Sequence, residues 1–212
     1  MSASLYNDLM RIELDHLSGK DVYGLMIQTI IPRPIAWVLS DNGNESFNLA
    51  PFSYFNGVTS KPPTLSLSIG RKRDRTKKDT WRNIEERGHF VVHIASVEMA
   101  AAVSATAASL ESGESEVIEN NLELTDEEGW SLPRLRAARI ALLCQRHQII
   151  EVGEGPQGLV IGEIKSAWLS DEIAGAGETI PSIDAKSLDP LARLGGNDYA
   201  NLDQVFTVAR PA

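Results

Sequence analysis

A single cysteine, Cys144, stands in the 212 residues, so no internal disulfide can form. Its place in the apolar run "RIALLCQ" marks it as a small core hydrophobe, not a reactive thiol. No apolar run approaches the length of a membrane span, and the start "MSASLYNDLMRIELDH" lacks the basic region and apolar run of a targeting segment. A soluble cytoplasmic protein with no membrane partner is expected. Positive charge is scarce as well: 20 Lys and Arg face 29 Asp and Glu, a formal net charge of -9 that argues against general nucleic-acid binding. Neither "GxSxG" nor "GxxxxGK" occurs, which leaves a hydrolase or nucleoside-triphosphatase without an anchor.

What is present suits one domain, residues 1–212, able to bury about 70 % of its unfolded surface. With 42% hydrophobic and 23% charged residues, the chain is neither disordered nor a disulfide scaffold. "DVYGLMIQTI" predicts a helix over 21–30, and "IPRPIAWVLS" runs through two prolines into a strand. "DNGN" at 41–44 signals a hairpin into "SFNLAPFSYF", because Asn-Gly accepts positive φ cheaply. "TLSLSIG" alternates as a strand. "KDTWRNIEERG" predicts a helix capped by Asp79 or Thr80, with Trp81 and Ile84 on the core face and Gly88 as its stop. "FVVHIAS" reads as a strand and "SVEMAAAVSATAASL" as a helix capped by Ser96. The acidic segment 111–130 reads as a solvated loop. "RIALLCQRHQIIEVG" and "GLVIGEIKSAWLS" read as strands joined by "EGPQ", and the tail as a glycine turn, a helical turn near Tyr199 and a last strand "QVFTVAR". Strands mostly follow strands, so the fold expected is a closed antiparallel barrel.

Several patterns imitate chemistry. Gly153, Gly155 and Gly158 in "GEGPQG" match the dinucleotide fingerprint formally, but strand-like "LVIGEI" follows where that fingerprint needs a helix. A hairpin turn is the better reading. His89 and His93 have metal-ligand spacing only on a helix; on a strand they lie about 13 Å apart.

One concentration of charge stands against the acidic background. "SIGRKRDRTKKDT" puts a strand end, a glycine, a cationic loop and a helix start in sequence, and free N–H groups and the helix dipole converge there on one anion site. Arg71, Lys78 and Thr80 are the candidate phosphate ligands, with Asp79 as the cap; Lys72, Arg73 and Lys77 read as solvated. A wholly solvated loop is the alternative. In "SFNLAPFSYFNGVTSKPP", Asn48, Ser53 and the backbone near Ala50 and Pro51 offer hydrogen bonds to a planar heterocycle, though an edge strand would tolerate the same residues.

Taken in order, "IPRPIAWVLS", "NLAPFSYFNGVTSKPPTLSLSIG", "KDTWRNI", "FVVHIAS", "GLVIGEI" and "DPLARLGGNDYANL" resemble the flavin reductase-like proteins with an FMN-binding split barrel. The resemblance implies a mainly β fold, a six-stranded antiparallel Greek-key split barrel with a few short flanking helices. It further implies a homodimer with FMN near the interface, NADH or NADPH as transient electron donor, and a small-molecule or protein acceptor that the sequence does not name. Asn48, Leu49, Ala50, Pro51 and Ser53 would border the isoalloxazine and ribityl chain, with Val38 and Ser40 alongside. Ser68, Gly70, Arg71, Lys78 and Thr80 would hold the phosphate, and Arg193, Gly195, Gly196 and Tyr199 would line the pocket from the other side. No catalytic acid, base or metal is implied, because the flavin carries the chemistry. An FMN-binding electron carrier without efficient nicotinamide turnover is the second reading.

Overall fold

The computed structural model describes residues 11–155, 157–177 and 179–211. Its main sheet has seven strands: β1 (Ala36–Asp41), β2 (Phe47–Phe52), β3 (Phe55–Ser60), β4 (Pro63–Ile69), β5 (His89–Ile94), β6 (Ile140–Val152) and β7 (Gln157–Leu169). They lie in the order β2-β1-β5-β6-β7-β4-β3, every pair antiparallel. The sheet curls until β2 and β4 meet across the opening, which makes it a split barrel. Two register shifts between β6 and β7, at Ile161/Gly162 and Ile164/Ser166, bend these long strands around the curve.

Seven strands replace the expected six. The addition is β3, at the sheet edge with only Phe55 partly sheltered, so its sequence carries no buried-face alternation to announce it. Strand β1 shows the opposite extreme. Its Trp37 and Leu39 pack against Leu49, Val91 and Leu143 on the outer face, while Ala36 and Val38 join Phe52, Leu67 and Phe90 inside the barrel. Both faces are covered, so the apolar run is continuous.

β1 returns into β2 through "DNGN", with Asp41 opposite Phe47 and Gly43 at φ +78°. Helix α1 (Gly19–Thr29) starts two residues before its expected position, where the Ser18 hydroxyl accepts from the Asp21 N–H. None of its residues is buried. Helix α2 (Asp79–Arg87) plugs the barrel with Trp81 and Ile84, both at 0% exposure, and stops at Gly88 with φ +79°. The third glycine of "GEGPQG" has a packing reason: a Cβ on Gly158 would stand 2.7 Å from the Trp81 ring. The turn before it is a β6–β7 hairpin, of which Pro156 lies outside the described residues.

Three expectations are corrected. The helix expected after Ser96 is broken into a 3₁₀ turn (Val97–Met99) and a short α3 (Ala100–Ala105), and the Ser96 hydroxyl donates to Glu98 instead of capping. The acidic segment holds a helical turn, α4 (Glu116–Glu119), with the Ser115 hydroxyl accepting from the Ile118 N–H. In the tail, Tyr199–Ala200 pairs with Ala192–Arg193, which pairs with Arg33–Pro34, and residues 201–211 form no strand. The targeting-segment reading of the N-terminus rests partly on residues 1–10, which lie outside the described residues.

Candidate cofactor-binding cleft

The basic run is an ordered loop. Arg71 and Lys77 form a β-bridge, the Lys72 N–H donates to Thr76 O at 2.8 Å, and the Asp74 carboxylate accepts from the Thr76 N–H and hydroxyl at 2.9 and 2.6 Å. Its end becomes the start of α2, with Lys78, not Asp79, at the N-cap position and no side chain capping the first turn. This corrects the cap assignment. Asp79 is instead gripped by Lys72 at 2.7 Å and by Arg82, and it accepts from the Ser112 hydroxyl at 3.0 Å. Burial pushes the Asp79 carboxyl up, but Lys72, Arg82 and Ser112 hold it below its ordinary value. Lys72 is thereby a structural partner, not a solvated charge.

Lys78 is differently placed. Its ammonium stands 5.8 Å over the Phe52 ring, and it makes no ion pair among the described residues. Its side chain keeps contact with solvent, yet desolvation by the surrounding walls lowers its pKa. An uncapped helix start and an unpaired cation therefore face one opening, which is the arrangement that attracts an anion.

That opening has two lobes. The first, about 290 Å³, is bounded by Asn48 and Ala50 on β2, by the basic loop, and by residues 106–110 beyond α3. The second, about 640 Å³, lies under α1 and is walled by Tyr23, Met26, Phe52 and Tyr54. Pro51, Phe52 and Lys78 line both, so Lys78 sits at the junction of a cationic lobe and an aromatic one.

A buried polar chain holds the first lobe in shape. Asn48 Nδ2 donates to the Thr80 hydroxyl at 2.8 Å and approaches Ser40 Oγ at 3.5 Å, while Asn83 Nδ2 donates to Ser40 Oγ at 3.2 Å and Asn42 Oδ1 at 2.9 Å. Because the Thr80 oxygen accepts from Asn48, its own proton is directed to another acceptor.

The structure brings most of the sequence-nominated residues to this opening and redistributes them. Asn48, Ala50, Arg71 and Thr80 line the first lobe, Ser53, Ser68 and Gly70 the second, and Pro51 and Lys78 both. Val38 and Leu49 are at 0% exposure within the two hydrophobic clusters and line neither lobe, and Ser40, also at 0%, reaches the first lobe through Asn48. The Arg71 guanidinium is drawn aside, to Glu151 at 3.2 Å and over Trp81 at 4.9 Å. Arg193, Gly195, Gly196 and Tyr199 line neither lobe; Arg193 donates to Asp198 O at 2.8 Å.

Two residues escaped the sequence reading. Arg33, 5% exposed, donates to Ile27 O, Ile30 O and Leu194 O at 2.7 Å each and to Ser53 Oγ at 3.2 Å, tying the end of α1 and the tail to the residue that follows β2. "IPRPIAWVLS" reads as two prolines running into a strand, which gives no sign of this clamp. Glu116, 7% exposed, lines the first lobe, and its only signal was the Ser115 cap within an acidic run. His93 is a core residue: Nδ1 lies 3.0 Å from Trp37 O, and Nε2 accepts from the Leu135 N–H at 3.0 Å, so both ring nitrogens are used. Burial leaves the Cys144 thiol raised in pKa and inert.

Comparison with known proteins places this opening in context. Residues 28–187 match a family model described as "Flavin reductase like domain". The chain is 38% identical over 204 residues to the uncharacterised protein YwrF of Bacillus subtilis, covering 94% of this chain and 98% of YwrF. The crystal structure of nitrilotriacetate monooxygenase component B from Bacillus cereus superposes with a TM-score of 0.88 at 36% identity, over 95% of this chain and 100% of that one. The 2-nitrobenzoate 2-nitroreductase NbaA of Pseudomonas fluorescens superposes with a TM-score of 0.80 at 27% identity, over 95% and 96% of the two chains.

Proposed function

Since the chain belongs to the flavin reductase-like family, we propose that it is an FMN-dependent oxidoreductase taking electrons from NADH or NADPH and passing them to a small-molecule or protein acceptor. The observation that carries the reading is the uncapped α2 start with unpaired Lys78 at the junction of the two lobes. FMN joins an anionic phosphate to a flat apolar ring through a polyol, and the lobes offer cations on one side of Lys78 and aromatic walls on the other. The residues present therefore fit the cofactor.

Lys78, the Thr80 hydroxyl and the first-turn N–H groups of α2 hold the phosphate. Asn48 orients Thr80 for that contact, and Asp79 is kept from repelling the anion by Lys72 and Arg82. Pro51, Phe52 and Tyr54 supply the apolar wall that excludes water from the ring. When bound, the flavin supplies the electron-transfer chemistry, and the protein contributes position and electrostatics.

The protein works as a homodimer in this reading. Support comes from α1, which buries no residue and exposes Tyr23 and Met26, and from the tail, where Val205, Phe206 and Val208 are all exposed. Such apolar surface favours a second copy as cover.

The test is the visible absorption spectrum of the purified protein with FMN, followed by anaerobic NADH or NADPH and then air. Bands that bleach and recover support the oxidoreductase. Bound flavin that nicotinamide leaves unbleached points to the carrier, and no flavin binding at all refutes both.

A further inference from the structure

The least expected group in the first lobe is a carboxylate. Glu116 belongs to α4, which lies along the free edge of β2, where two contacts replace a missing strand: Ser115 Oγ donates to Phe47 O at 2.5 Å, and Glu116 Oε2 accepts from the Leu49 N–H at 2.9 Å. Edge capping occupies only one carboxylate oxygen. No other residue among those described donates to Oε1, and the side chain forms part of the lobe wall. Burial, and after it the nearby Asp79 charge, raises the Glu116 pKa against the pull of the Leu49 N–H, of its own backbone N–H and of Lys72, so compensation of this acid is incomplete.

A carboxylate, which only accepts, is repelled by a phosphate carrying about -1.5 to -2 charges at neutral pH. It meets a donor. Within one lobe of about 290 Å³, beside the cations that take the phosphate, the group covalently adjacent to that phosphate in the proposed ligand is a chain of hydroxyls. We infer that Glu116 accepts a hydrogen bond from a ribityl hydroxyl of the flavin and thereby selects for cofactors that carry the polyol. The inference rests on the flavin reading above. It gives Glu116 a duty beyond capping β2, since Leu49 would be satisfied equally well by a neutral acceptor.

The experiment compares three ligands by quenching of flavin fluorescence: lumiflavin, with the ring alone; riboflavin, with ring and polyol; and FMN, with the phosphate added. Wild type, Glu116→Gln and Glu116→Ala are titrated with each, and circular dichroism checks the fold. Glutamine keeps an acceptor for Leu49, so it isolates the second contact. Glu116→Gln is expected to weaken riboflavin about tenfold, the loss of charge assistance to one hydrogen bond, and to leave lumiflavin within about twofold. FMN falls less than riboflavin, because removing the carboxylate also relieves its repulsion of the phosphate. An equal loss for lumiflavin and riboflavin overturns the inference and assigns Glu116 to a ring N–H. Unchanged affinities in Glu116→Gln, with Glu116→Ala merely less stable, reduce Glu116 to an edge cap and overturn it too. Wild-type protein that binds none of the three overturns the flavin reading itself, a result separate from either of these.

Discussion

Replacing His93 by glutamine should change how stability depends on pH, and the size of the change follows from burial. The ring is fully enclosed, its Nδ1–H donates to Trp37 O, and its Nε2 accepts from the Leu135 N–H, so a second proton has no acceptor. Desolvation, with the positive charge of Arg134 nearby, lowers the pKa to about 4 despite the favourable Trp37 bond. In the unfolded chain the ring titrates near 6.5. Between these values the unfolded state binds the proton and the folded state does not, so stability is lost as pH falls through that window and levels off below it. From about pH 7.5 to about pH 5 the loss assignable to His93 is about 2 kcal/mol, from the two pKa values and 1.36 kcal/mol per unit. Urea unfolding of wild type and His93→Gln at both pH values isolates it, because the carboxylates are common to both proteins. Wild type should lead at the higher pH, and its lead should shrink by about 2 kcal/mol at the lower. A lead that stays constant would refute the enclosed, neutral histidine.

Lys78→Ala or Thr80→Ala should each cost FMN about 1.5 to 3 kcal/mol of binding, about tenfold to a hundredfold in Kd, and leave riboflavin nearly unchanged; titration of both flavins checks this. Gly158→Ala drives a methyl into the Trp81 ring, so thermal unfolding should show about 1 to 3 kcal/mol of lost stability, a Tm lower by several degrees. Arg33→Lys cannot reproduce a fork that reaches three carbonyls and the Ser53 hydroxyl, and denaturant unfolding should register about 3 kcal/mol of destabilisation.

The helix start after "KK" was legible because the run of charge, the apolar period that follows it and a glycine-ended strand are local features, read within ten residues. Trp81 was legible as core for the same reason, its period matching Ile84 on one face of α2. β3 was not, since an edge strand with exposed faces carries no alternation. Nor was the cap: Lys78 occupies that place because Asp79 finds stronger partners in Lys72 and Arg82, one on the loop and one a turn along the helix.

By itself the sequence determined the antiparallel β class, the basic loop leading into α2 and the order of motifs that marks the family, all carried by short-range patterns of polarity, glycine and charge. Only the tertiary structure decided which nominated residues reach a common space. Curling of the sheet brings β2 against β4 and lays α1 and the 106–116 segment over them, so that Lys78 joins two lobes, Val38 and Leu49 turn into the core, and Glu116 arrives at the lobe wall. Those placements depend on closing long loops around a curved sheet, and no local pattern records them.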